Sequence, residues 1–186
     1  MSLRQQHLDP RSPLVIDLHD LERRAGTMKR VHRVVPAPAD LGIDMIGVPE
    51  GSDITLDLRL EAVVEGVLVT GSADVHLTGE CTRCLEPIEE NASYELQELY
   101  FYPGRDAEED ASRIEGDLID LDPALRDAVV LELPFAPLCR EDCAGLCPIC
   151  GAQLNDDPEH HHDAPVDARW SDLTRLAGGE DADPLT

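Results

Sequence analysis

The chain has 186 residues, with 39 Asp and Glu against 15 Lys and Arg, a formal net charge of -24, 42 % hydrophobic residues and 3 % aromatics. That length suits one domain whose core rests on Leu, Val, Ile and Ala rather than on rings. A surface this acidic repels phosphate backbones and attracts basic proteins, so general nucleic-acid binding is disfavoured. No segment reads as a signal peptide and no apolar run approaches the ~20 residues of a membrane helix, which predicts a soluble cytoplasmic protein.

Residues 1–13 are polar and read as a flexible N-terminus. Leu14, Val15, Ile16 and Leu18 make a short apolar run that suits a strand. From Leu21 to Arg33 the chain is basic and reads as a helical piece, stopped by Pro36 and Pro38. Arg23, Arg24, Lys29, Arg30 and Arg33 hold five of the 15 bases there, and so mark the candidate nucleic-acid-binding patch on an otherwise acidic chain. Ile54, Leu56, Leu58 and Leu60 alternate with polar residues, the pattern of a half-buried strand. Val67 and Val69 resume the pattern after Glu65 and Gly66. Val75 and Leu77 follow a second turn read at Gly71 and Ser72, giving an antiparallel meander. Ser93 to Tyr102 is rich in strand formers, and the acidic stretch 103–117 reads as a solvated loop. Asp122 before Pro123 signals a helix start, Leu125, Ala128, Val129 and Leu133 share one face, and Pro134 ends it. A second, short helix is expected from Asp167 through Trp170 and Leu173, followed by a disordered tail at 178–186.

The strongest signal is cysteine spacing. Cys81 and Cys84 form a CxxC, Cys139 and Cys143 a CxxxC, and Cys147 and Cys150 a second CxxC. In a reducing compartment such pairs read as metal ligands rather than as disulfides. A tight turn lets both thiolates face one ion, and zinc takes four S or N ligands in a tetrahedron. Gly151, after the second ligand of CPICG, permits the positive φ such turns require.

Six thiolates exceed one zinc by two. One grouping sets Cys81, Cys84, Cys139 and Cys143 around a first ion and Cys147, Cys150 and two of His160, His161 and His162, with His160 and His162 the chosen pair, around a second. The rival places Cys139, Cys143, Cys147 and Cys150 on one ion and leaves Cys81 and Cys84 reduced. The first is preferred, because four cysteines within twelve residues are crowded. The expected cofactor is therefore Zn2+, one or two ions. Four thiolates leave zinc a poor Lewis acid, and no phosphate loop, nucleophile elbow or HExxH helix is present, so no catalytic residue is assigned and no enzyme is expected.

The segments VPEGSDITLDLRLEAVVEGVLVTGSADVHLTGECTRCLEP, LIDLDPALRDAVVLELPFAPLCREDCAGLCPICGAQLN and DARWSDLTRL resemble the YceD family, whose name refers to accumulation of the large-subunit ribosomal RNA. The resemblance implies a metal-binding accessory factor in large-subunit assembly and 23S rRNA accumulation. Its partner would be that RNA or its precursor or, alternatively, a basic large-subunit ribosomal protein. The family's CxRC element falls on Cys81, Arg83 and Cys84, and its later cysteines on Cys139, Cys143, Cys147 and Cys150. Relatives that keep the first pair and the PLCREDC region while lacking GLCPICG support the first grouping. Where many relatives carry a further CxC, this chain reads DPEHHHDAP. The expected architecture is α+β: a bent antiparallel sheet packed on one main helix, with zinc-knuckle loops near the C-terminus. It occupies residues 14–177, of which 139–162 form the zinc-binding part.

Overall fold

The computed structural model describes residues 8–105 and 108–162. The chain divides into two compact units, Met1–Cys143 and Ala144–Thr186. The helix expected from Asp167 and the tail at 178–186 lie outside the described residues.

The first unit is mostly antiparallel sheet with one helix. Its strands are β1 (Val15–Asp17), β2 (Met28–Pro36), β3 (Leu41–Ile43), β4 (Ile46–Val48), β5 (Asp53–Ala62), β6 (Gly66–Glu80), β7 (Pro87–Phe101) and β8 (Leu118–Asp120), followed by helix α1 (Asp122–Val130). β6 is the spine. Val67 to Asp74 pair with β5, Thr78 and Gly79 with β4, and its full length with β7 on the other side. β2 lies outside β5, β3 outside β4, and β1 and β8 form a separate two-stranded ribbon.

Alternation sets the faces. Ile54, Leu56, Leu58 and Leu60 of β5, Val67, Val69, Ala73, Val75 and Leu77 of β6, and Tyr94, Leu96 and Tyr100 of β7 are buried in one cluster. The other face carries exposed Asp57 and Arg59 on β5, Asp74 on β6, and Glu95 and Gln97 on β7. Each large aliphatic side chain removed from water contributes about 1.5–3 kcal/mol, so this stripe holds a unit with few rings.

Helix α1 adds Leu125 and Val129, one turn apart and fully buried, and it packs against β7 and β3. Asp120 Oδ1 accepts the Asp122 amide at 3.0 Å, and Pro123 stands in the first turn, where no amide donor is needed. Thus Asp122 lies inside the first turn, and the acid that receives an amide there is Asp120. Arg126 pairs with Asp122 at 2.8 Å and donates to the carbonyls of Asp40 and Ala39, tying the helix to the loop before β3.

Four expectations need correction. The basic stretch Leu21 to Arg33 expected as a helix is bends and turns up to Thr27 and strand β2 from Met28, paired with β5 from Met28↔Glu61 to Pro36↔Asp53; β-branched Val31, Val34 and Val35 suit a pleated strand better than a helix. The turn expected at Gly71 and Ser72 is continuous strand. Gly71 sits at φ 156°, where an added Cβ would lie 2.0 Å from the Asp57 carbonyl oxygen, so glycine lets β5 and β6 run through without breaking. The helix stops at Val130, short of the buried Leu133. In the acidic stretch Ile114 is buried, and its amide reaches the Phe101 carbonyl at 3.0 Å. The β3–β4 hairpin was not legible as strands.

Tyr100 links the sheet to the β1–β8 ribbon, its hydroxyl donating to the Asp120 carbonyl at 2.8 Å. Burial raises its phenol well above the usual range, and the charges of Glu98 and Asp120 add to the shift. Replacing Tyr100 by Phe is expected to cost about 1 kcal/mol, read as a lower urea midpoint at unchanged slope. A phenol raised in the folded state contributes its stability fully below its unfolded value, about 10, and loses it as pH rises further. Alkaline unfolding above that pH should therefore be steeper in the native protein than in Tyr100→Phe.

Candidate metal centres

The turn joining β6 to β7 carries Cys81 and Cys84. The Cys81 amide donates to the Glu86 carbonyl at 2.8 Å, and the Leu85 amide donates back to the Cys81 carbonyl at 2.8 Å. Leu85 sits at φ 61°, a left-handed conformation costly for a residue with a Cβ. The same pattern recurs around Cys147 and Cys150. Cys147 donates to the Ala152 carbonyl and Gly151 donates back to the Cys147 carbonyl, both at 2.8 Å, with Gly151 at φ 76°. Both CxxC segments thus fold as the same knuckle, which turns paired sulfurs to one side.

In the first unit, Cys139 and Cys143 come up against the 81–84 knuckle. The Thr82 amide and hydroxyl both donate to the Pro137 carbonyl at 2.9 and 3.2 Å, and Arg83 Nη1 donates to the Cys143 carbonyl at 2.9 Å. Sequence reasoning gave Arg83 no such bond, and nothing but its place between two ligands could have suggested one. The sulfurs of Cys81 and Cys143 lie 3.8 Å apart, those of Cys84 and Cys139 3.5 Å, and all four lie within 4.8 Å of one another. A tetrahedron of sulfurs at 2.3 Å from zinc has edges of about 3.8 Å. Cys81, Cys84 and Cys143 are buried and Cys139 is exposed, with Ile88 and Leu138 packed alongside.

The thiols of this set compete for charge. Burial pushes Cys81 up, but backbone amides of Cys139, Cys84 and Arg83 outweigh it and bring it down to about 6. The Glu86 amide favours thiolate at Cys84, yet burial and the neighbouring cysteines push it up to about 12. Burial also raises Cys139. Four thiolates in such a space need a cation between them, and a divalent ion would supply it.

In the second unit, Cys147, Cys150, His160 and His162 form the other set, again with ligand atoms within 4.8 Å. Both imidazole Nε2 atoms lie 3.2 Å from the Cys150 sulfur and 3.0 Å from each other. His160 Nδ1 lies 3.8 Å from Asp157, the outer carboxylate that commonly orients a metal-bound imidazole. His161 turns away, its Nδ1 at 3.0 Å from the Glu159 carbonyl. Amides of Cys150 and Ile149 lead in lowering Cys147 to about 6. Ala144 N–H to Asn155 Oδ1 and Leu154 N–H to the Gly145 carbonyl, at 2.8 and 2.9 Å, fix the loop around it. Two thiolates and two neutral imidazoles also suit zinc.

The five candidate bases do not converge on one patch. Arg23 pairs with Asp117 at 2.8 Å and lies 5.6 Å over the Tyr102 ring. Lys29 pairs with Asp20 at 3.6 Å, and Arg33 donates to the Val15 carbonyl at 3.1 Å. Arg30 stands opposite Arg59 in the register, one residue out of phase with Lys29 and Arg33 and therefore on the other face of β2. Arg24 and Arg30 enter no ion pair among the described residues.

Elemental analysis of untagged protein is expected to find about two ions per chain, one per four-ligand set. Cys81→Ser with Cys84→Ser should leave one, and so should His160→Ala with His162→Ala. An ion count unmoved by the histidine pair would remove those residues from the second set.

The family model described as large ribosomal RNA subunit accumulation protein YceD matches residues 69–177, a span that contains both knuckles. An uncharacterized protein of Mycobacterium tuberculosis and one of Mycobacterium bovis are each 42 % identical over 174 residues, covering 91 % of this chain and 84 % of theirs. A third, from Mycobacterium leprae, is 41 % identical over 177 residues, covering 92 % and 80 %. No solved structure matches. With identity sustained over nine-tenths of its length and both cysteine knuckles inside the matched span, the chain belongs to the YceD family of large ribosomal RNA subunit accumulation proteins.

Proposed function

We propose that this protein is a non-enzymatic, zinc-binding accessory factor in large ribosomal subunit assembly, needed for accumulation of 23S rRNA. The observation that carries the reading is the convergence of four sulfurs from the 81–84 and 139–143 segments in a chain of this family. Sulfur-rich, closed coordination is the structural rather than the catalytic form of zinc, because it leaves no position for a water or substrate. The ions hold the two loop clusters in shape, and the protein acts by binding. Functionally, residues 14–177 work as one domain with 139–162 as its zinc-binding part, in the cytoplasm, where thiols stay reduced.

Two partners fit such a role. A basic large-subunit ribosomal protein suits a net charge of -24. Contact with large-subunit rRNA or its precursor would fall to the N-terminal bases, and above all to Arg24 and Arg30, since Arg23, Lys29 and Arg33 are engaged within the chain. The charge and these engagements favour the protein partner.

Depletion in cells should lower the ratio of large- to small-subunit rRNA. Native protein is expected to restore the ratio and the Cys81→Ser, Cys84→Ser variant to fail; restoration by that variant would separate the first centre from the function. Reversing charge at Arg24 and Arg30 should leave restoration intact if the partner is a protein and abolish it if those bases hold RNA.

A further inference from the structure

The outer edge of β7 is an unfinished sheet edge of uncommon length. β7 runs fifteen residues and pairs on one side with β6. At its end the chain shows how the other side is used. The Phe101 amide donates to the Ser112 carbonyl at 2.9 Å, and the Phe101 carbonyl accepts from Ile114 at 3.0 Å, a short parallel bridge. Phe101 therefore points its main chain away from β6. In an antiparallel ladder alternate residues do the same, so Glu89, Asn91, Ser93, Glu95, Gln97 and Leu99 present amides and carbonyls to the open side. Among the described residues none of these groups is bonded across that edge. The stretch is about 34 Å long at the rise of an antiparallel strand.

Its charge selects the occupant. Glu89, Glu90 and Glu95 are exposed along the edge and Glu98 is partly so, with no Lys or Arg in β7. The opposite edge of the sheet, β2, carries Lys29, Arg30 and Arg33 instead. Residues 163–186 hold six Asp and Glu against Arg169 and Arg175, a charge that does not complement this edge. Two β7 edges from two copies would oppose acid to acid.

We propose that the β7 edge is a docking surface for an extended, Lys- and Arg-rich polypeptide segment, which adds as a further strand and sets its basic side chains against Glu89, Glu90 and Glu95. Main-chain bonds supply affinity in this mode, and the flanking carboxylates choose the sequence. Leu131 and Phe135, 79 % and 92 % exposed, follow helix α1, which packs against β7. The proposal stands on the strand edge and its charge and does not depend on the ribosomal reading, which the rRNA ratio tests separately.

The test uses the full, metal-loaded chain with a ten-residue peptide alternating Lys and Val, beside the same peptide N-methylated at alternate amides. Residue-resolved amide exchange in the free protein should be fast at Asn91, Ser93, Glu95 and Gln97 and should slow about tenfold with the first peptide. The N-methylated peptide should give no such slowing, and Glu89→Lys with Glu95→Lys should weaken binding of the first peptide about tenfold. Equal binding of both peptides would overturn the proposal, since attraction would then be charge alone. Slow exchange of these amides in the free monomer would overturn it in favour of the chain's own residues covering the edge. Concentration-dependent protection of β2 and β7 together would overturn it in favour of a second copy.

Discussion

Four sulfurs drawn into one buried space impose the strictest condition on this molecule. Taken singly, a buried thiol is an ordinary small hydrophobe. Here Cys81, Cys84 and Cys143 are almost fully enclosed with Cys139 at their rim; at Cys81 burial is overcome by the amides of Cys139, Cys84 and Arg83, which favour thiolate, while at Cys84 the Glu86 amide is outweighed by burial and the neighbouring thiols. A cation between the sulfurs would reconcile the two tendencies. Everything near it is arranged to keep the sulfurs in place: Thr82 on Pro137, Arg83 on Cys143, and a leucine held in a glycine conformation. Structural zinc contributes about 10–16 kcal/mol in small peptides, as much as a whole domain's stability, so an ion held here would offset the scarcity of aromatic side chains in the sheet.

The second set meets a milder condition. Cys150 and His162 are exposed and His160 half-buried, so an ion held there would sit closer to water, and two thiolates would balance a divalent charge where four would exceed it. Four thiolates would therefore need help from surrounding donors, and Arg83, set within the knuckle, brings a cation whose guanidinium donates to the Cys143 carbonyl. The second obtains its support from Asp157 behind His160.

How much of this was legible depends on the period of the signal. Period-two alternation in β5 was unmistakable, because Ile54 to Leu60 face a core and their neighbours face water. The knuckles were equally clear, because CxxC has few other uses in a reducing compartment. The sequence pattern misled where one residue carries two meanings. Gly71 reads as a turn in isolation but serves close approach of strands, and the basic residues of β2 read as a helix because their charge hides the alternation that pairing with β5 enforces. Which of three adjacent histidines approach one another is a matter of local geometry: His160 and His162 come within 3.0 Å, while His161 Nδ1 lies against the Glu159 carbonyl. Leu85 in a left-handed turn was beyond reach, since nothing in its identity announces it. The five bases share a stretch of sequence but not an element: Arg23 and Arg24 precede β2, and on β2 Arg30 faces away from Lys29 and Arg33 because residues one apart on a strand point in opposite directions.

The first centre draws partners 55 and 62 positions apart, Cys84 with Cys139 and Cys81 with Cys143, and so closes a loop that contains β7, β8 and α1. During synthesis β6 and the 81–84 knuckle leave the ribosome long before their second pair of ligands does. For that interval the knuckle is half a chelate. The sheet can assemble by hairpin pairing alone, but the loop is locked only when Cys143 arrives. Capture of a metal by this set would thus wait for the end of translation of the first unit, and a chain truncated before that residue would carry the sheet without its clasp.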